Sequence, residues 1–120
     1  MLDEFTRSYI ECALWASLDD NEQPLDSNYD INDFNEATLQ QMILDCKLFQ
    51  EDNFDLLRMA YKRPDYTSGS AGHDFFLTRN FHGAGFWDRG LMDVGEQLSE
   101  KSHDWGSFDL YVGDDKKVHC

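Results

Sequence analysis

Bases are scarce in this chain of 120 residues. Ten lysines and arginines face 24 aspartates and glutamates, for a net charge of −14. A field of that sign repels phosphate backbones, so direct binding to nucleic acid is disfavoured. Cysteine is also sparse: Cys12, Cys46 and Cys120 are odd in number and far apart. No CxxC pair or histidine-rich spacing marks zinc, so no metal or cofactor is expected. Cys12 and Cys46 fall on apolar helical stripes and read as small buried hydrophobes in a reducing compartment. No run approaches the roughly 18 apolar residues of a membrane span. Met1-Leu2-Asp3-Glu4 lacks the basic start of a signal peptide. These absences predict a soluble, cytoplasmic protein with no membrane partner.

What is present is aromatic and acidic. Phenylalanine, tyrosine and tryptophan make up 14% of the chain, too many for a disordered acidic tail. The length suits a single domain over residues 1–120. The charge is uneven. Residues 1–60 hold 14 acids and three bases, and residues 19–55 hold 11 acids with Lys47 as the lone base. Acidity of this kind keeps a small protein in solution. It also complements basic surfaces such as the DNA-binding grooves of other proteins.

Hydrophobic spacing predicts a helix over 4–18, on Phe5, Tyr9, Cys12, Ala13 and Ala16. An acidic loop follows over 19–34. Its Asp26, Asn28 and Asp30 alternate as in a calcium loop, but Ile31 and Ala37 stand where that loop needs Gly and Glu. A second helix is expected from the N-cap Asn35, with a break near Asp52-Asn53 and apolar content to about residue 60. Pro64, Gly69 and Gly72 mark 61–72 as a loop. The aromatic runs 73–79 and 84–89, joined by Phe81-His82-Gly83, predict a β-hairpin. A helix over 91–104 with Gly106 as its stop, a strand over 108–112 and a short return over 117–119 complete the order. The fold class expected is α+β, N-terminal helices on a small antiparallel β-sheet in the order α-α-β-β-α-β.

The segment 72–90 concentrates the chemistry. It holds His73, Asp74, Arg79, Asn80, His82, Asp88 and Arg89 within 17 positions. Histidines beside aspartates suit general acid–base work. The spacing matches neither a zinc helix nor a nucleophile turn, and Gly83-Ala84-Gly85 lacks the third glycine of a dinucleotide loop. The simpler expectation is a polar network that pins the hairpin, with Arg79 and Arg89 paired to Asp74 or Asp88. Outward-facing members of Phe75, Phe76, Phe86 and Trp87 would instead suit stacking on single-stranded bases, which the net charge opposes.

The run GHDFFLTRNFHGAGFWDRG, the later DLYVGDDKKVH and the N-terminal FTRSYIECALW with PLDSNYDINDF resemble small proteins of tailed bacteriophages and prophages. Those proteins share a histidine–aspartate aromatic strand, an LTRN–glycine turn and a closing LYVGDDG-type hairpin. Lys116 replaces a usual glycine, and Phe76 and Phe81 depart locally. The resemblance implies phage origin and an accessory role; it carries no catalytic residues.

The leading expectation is a non-enzymatic phage accessory protein that binds a host or phage protein with a basic surface. It would act as an acidic, DNA-mimicking inhibitor of a restriction, CRISPR or nucleoid protein. The candidate carboxylates are Asp19, Asp20, Glu22, Asp26, Asp30, Asp33, Glu36, Asp45, Glu51, Asp52 and Asp55. Arg79, Asn80, His82 and Arg89 are the candidates on the hairpin. The alternatives are a small nucleic-acid-processing enzyme or single-strand binder using His73, Asp74, Arg79, His82 and Asp88, and a module of a larger phage assembly.

Overall fold

The computed structural model describes residues 2–120, which fold into a body of 43 × 28 × 25 Å. It is mostly helical. The helices are α1 (Glu4–Ala16), α2 (Glu36–Asp52), α3 (Phe54–Ala60), α4 (Ser68–Arg79) and α5 (Asp93–Asp104). Short 3-10 turns lie at Leu25–Ser27, Ile31–Asp33 and Phe86–Asp88. The sheet among the described residues is one antiparallel pair, β1 (Tyr111–Val112) with β2 (Val118–His119), registered Tyr111 to His119 and Val112 to Val118. Among the described residues no helix is long and apolar enough to cross a membrane.

This overturns the expected α+β fold. The predicted hairpin is α4 followed by the turn at Phe86–Asp88, and the predicted loop over 61–72 already contains the start of α4. Thr67 caps that helix, its hydroxyl accepting from the Ser70 amide at 3.2 Å. The adjacent apolar residues are not one strand face and one outer face. Gly72 and Asp74 to Arg79 are all buried, because α4 runs through the middle of the fold. Six consecutive buried residues erase, over that stretch, the amphipathic period that marks helices in sequence.

Glycine, costly in a helix interior, is what admits α4 to that place. A Cβ on Gly72 would collide with the Phe5 carbonyl oxygen of α1, so the two helices meet backbone to backbone. The expected Phe81-His82-Gly83 turn is the end of α4. The Phe81 amide donates to the Thr78 carbonyl at 3.1 Å and the His82 amide to the Leu77 carbonyl at 2.9 Å. That is a Schellman cap with Phe81 at φ 58°, where glycine is usual.

The other helices follow their local signals. Asp3 caps α1 through the Thr6 amide at 2.8 Å, and Asn35 caps α2 through the Thr38 amide at 3.2 Å. The buried stripe of α2 is Thr38, Met42, Asp45, Cys46 and Phe49. Gly106, at φ +75°, stops α5. Rings from four segments meet in the core: Phe49 stacks on Phe75 at 4.0 Å, with Phe5 at 6.1 Å and Phe86 at 6.0 Å from Phe49. Trp87, by contrast, is 55% exposed.

Gly72→Ala is expected to destabilise the protein by about 3 kcal/mol, since the obstacle is backbone and cannot rotate away. Gly83→Ala, with open space around the added methyl, is expected to change stability by less than about 0.5 kcal/mol. Urea midpoints test the pair; equal midpoints would remove the close α1–α4 approach.

Candidate functional site

Apart from His82 and Arg89, the expected binding residues divide into three groups. The first is buried. Arg79 and Asp45 are 3% and 4% exposed and pair with each other, Nη1 to Oδ2, at 2.9 Å. Arg79 also donates to the Tyr9 hydroxyl at 3.0 Å, the Gly106 carbonyl at 2.8 Å and the Trp105 carbonyl at 3.3 Å. The Phe75, Trp105 and Phe108 rings lie within 6 Å of the guanidinium carbon. Neither side chain reaches a partner, so both leave the set of contact residues. Asn80 is committed too: its Nδ2 donates to the Phe76 carbonyl and its Oδ1 accepts from the Phe108 amide at 2.7 Å.

The second group serves turns. Asp19 Oδ1 accepts from the amides of Asn21 and Gln23 at 2.8 and 3.0 Å. Asp30 and Asp33 form a reciprocal cap over the turn at Ile31–Asp33, both bonds at 2.8 Å. The calcium-like spacing of this loop is thus Asx-turn chemistry. Among the described residues no group of three or more histidine, cysteine or acidic side chains is placed to hold a metal.

The third group, Asp20, Glu22, Asp26, Glu36, Glu51, Asp52 and Asp55, is exposed. They are spread widely along the fold, from the loop after α1 to α3. Glu36 and Asp52 sit at opposite ends of α2, roughly 24 Å apart at 1.5 Å per residue.

The histidine–aspartate constellation is divided as well. His73, Asp74 and Arg89 line one cavity of about 500 Å³. Ser8, Glu11, Cys12 and Trp15 of α1, Gly69 and Ser70 of α4, and Asp26 complete its wall. Arg79 is in the core, His82 rests on the Phe76 ring at 6.1 Å, and Asp88 accepts from the Gly85 amide. Asp74 is 1% exposed and grips Arg89 through Nε at 3.0 Å and Nη2 at 2.8 Å. The Tyr66 hydroxyl donates to its other oxygen at 2.7 Å. His73 Nδ1 stands 4.0 Å from Asp74, and the His73 ring lies 5.8 Å from that of Trp15.

Burial opposes ionisation of Asp74 most strongly, but contacts with His73, Arg89 and Tyr66 together outweigh it. Its carboxyl is therefore held below the ordinary range. Burial pushes the Cys12 thiol up to about 12. That sulfur stays protonated at neutral pH and is no nucleophile. The Ser70 hydroxyl is taken by the Thr67 cap. The cavity is thus a polar recess with fixed charges and an exposed indole.

No protein-family model, curated protein or solved structure matches this chain.

A second cavity of about 570 Å³ adjoins the first and shares Glu11 and Asp26 with it. Its wall is more apolar: Leu2, Ile10, Leu14, Tyr29 and Ile31, with Arg7 and Asp30. Sequence reasoning missed the α1 residues on these walls. The available signal was the series Glu4, Ser8, Glu11 and Trp15, spaced four, three and four apart, which puts a tryptophan on the polar face of the helix.

Two predictions concern the buried charges. Arg79→Met leaves Asp45 buried without its cation and is expected to cost about 3–5 kcal/mol. Adding Asp45→Leu should restore part of that loss; a single-variant loss below about 1 kcal/mol would show a dispensable pair. Asp74 adds stability above the ordinary carboxylate pKa of about 4, lost as pH falls through its lower folded-state value. Unfolding free energy from neutrality to pH of about 3 should fall more steeply for the parent than for Asp74→Asn. Parallel profiles would deny Asp74 this role.

Proposed function

We propose that the protein acts by non-covalent binding to a basic protein surface, as an acidic occupant of a nucleic-acid-binding groove. One observation carries the reading. The buried carboxylates among the described residues, Asp45 and Asp74, are each matched by an arginine. The net charge of −14 is therefore displayed outward. Trp15, Phe54, Phe81, Trp87 and Met92, each more than half exposed, accompany it. Charge alone maintains solubility; charge with exposed aromatics suits a protein interface, where such side chains supply the buried anchors. The resemblance to phage accessory proteins adds a setting, the cytoplasm of a bacterial host, and the likeness of the charge to that of DNA adds a target class, proteins of restriction, CRISPR or nucleoid function.

The test is capture from bacterial lysate on the immobilised protein. The bound set should be rich in DNA-binding proteins, and both high salt and duplex DNA should release it. With an isolated captured partner, Asp26→Asn, Asp30→Asn and Asp33→Asn together should slow association and flatten its salt dependence. Asparagine keeps the turn acceptors, so the free protein should be no less stable. Capture indifferent to salt and to DNA would end the reading.

A further inference from the structure

The two adjoining cavities form one groove along α1, divided by Glu11 and Asp26. One side is apolar, floored by Ile10 and Leu14 and edged by Tyr29 and Ile31. The other offers the Trp15 indole, 57% exposed, beside His73. Across both cavities Glu11, Asp26, Asp30 and Asp74 outnumber Arg7 and Arg89, and Arg89 is already paired with Asp74, so the groove is acidic.

We infer that this groove is the docking surface for a basic amphipathic helix of the partner. Charge complementarity selects the occupant. An apolar row fills the Ile10 side, and a lysine or arginine reaches the two dividing carboxylates over the face of Trp15. A purely cationic strand leaves the apolar side unfilled, and a purely apolar helix leaves the carboxylates desolvated without partners. Nucleic acid is excluded by the same carboxylates. The inference rests on the acidic-binder reading above and gives it a location.

The probe is a fluorescein-labelled amphipathic helical peptide of lysine and leucine, with oligolysine of equal charge beside it. At physiological salt the amphipathic peptide should bind more tightly than oligolysine and shift the Trp15 indole resonance. Reversal at Glu11→Lys and Asp26→Lys should weaken it at least about tenfold, as for charges at the centre of an interface. Glu96→Lys with Glu100→Lys is the control of equal charge, on α5, which packs against α3, α4 and the turn at Phe86–Asp88. It should change affinity by less than about twofold. Equal weakening by both pairs, or an unmoved Trp15 resonance, overturns the groove and leaves an acidic surface that binds by its field. Failure of both peptides to bind overturns the groove and the acidic-binder reading together.

Discussion

The guanidinium of Arg79 meets Tyr9 of α1, Asp45 of α2 and the Trp105 and Gly106 carbonyls beyond α5. An isolated charge in a protein interior is very costly, so a buried arginine is tolerated only where its donors find acceptors. Four segments must therefore arrive together for any one to be satisfied. Gly106 serves twice, ending α5 with its left-handed backbone and presenting its carbonyl to Nε. The rings of Phe75, Trp105 and Phe108 keep water from the pair.

A second arginine repeats the device at the edge of the core. Asp74 is buried as deeply as Asp45, but Arg89 keeps one side to solvent and to the cavity beside α1. Tyr66 closes the far oxygen of Asp74. Core pairing of this kind sets the electrostatics outside. Each buried carboxylate is matched by one arginine, and the remaining acids are left to face water or a partner.

The surface also carries features that stability does not explain. Phe81 holds a left-handed backbone that costs on the order of 1–3 kcal/mol for a residue with a side chain. Its ring is 67% exposed and lies 4.4 Å from that of His103. Glycine there would relieve the strain. With Trp15 and Trp87 exposed elsewhere, the fold displays aromatic area that a free-standing protein has reason to bury.

Local signals were enough for much of the chain. The Asn35 cap, the break at Asn53, the Gly106 stop and the closing pair near Tyr111 and Val118 are legible because a single residue type or spacing decides each. His73, Asp74 and Arg89 were legible as a cluster because they lie within 17 positions of one another. Glu11, Trp15 and Asp26 were not, since they reach the same cavity from far along the chain. Asp45 and Arg79 read as surface charges because sequence shows charge without burial; only their partners make the interior tolerable. The decisive miss was α4. Two glycines and consecutive phenylalanines describe a loop and a strand by propensity. What makes them a helix is contact with α1, where Gly72 meets the Phe5 backbone, and the burial of all six residues from Asp74 to Arg79. The caps, the stops and the sign of the charge are local or summed properties, and the order of residues is enough to read them. The central helix, the buried pairs and the groove were decided by tertiary structure, because each depends on contacts between residues distant in the chain.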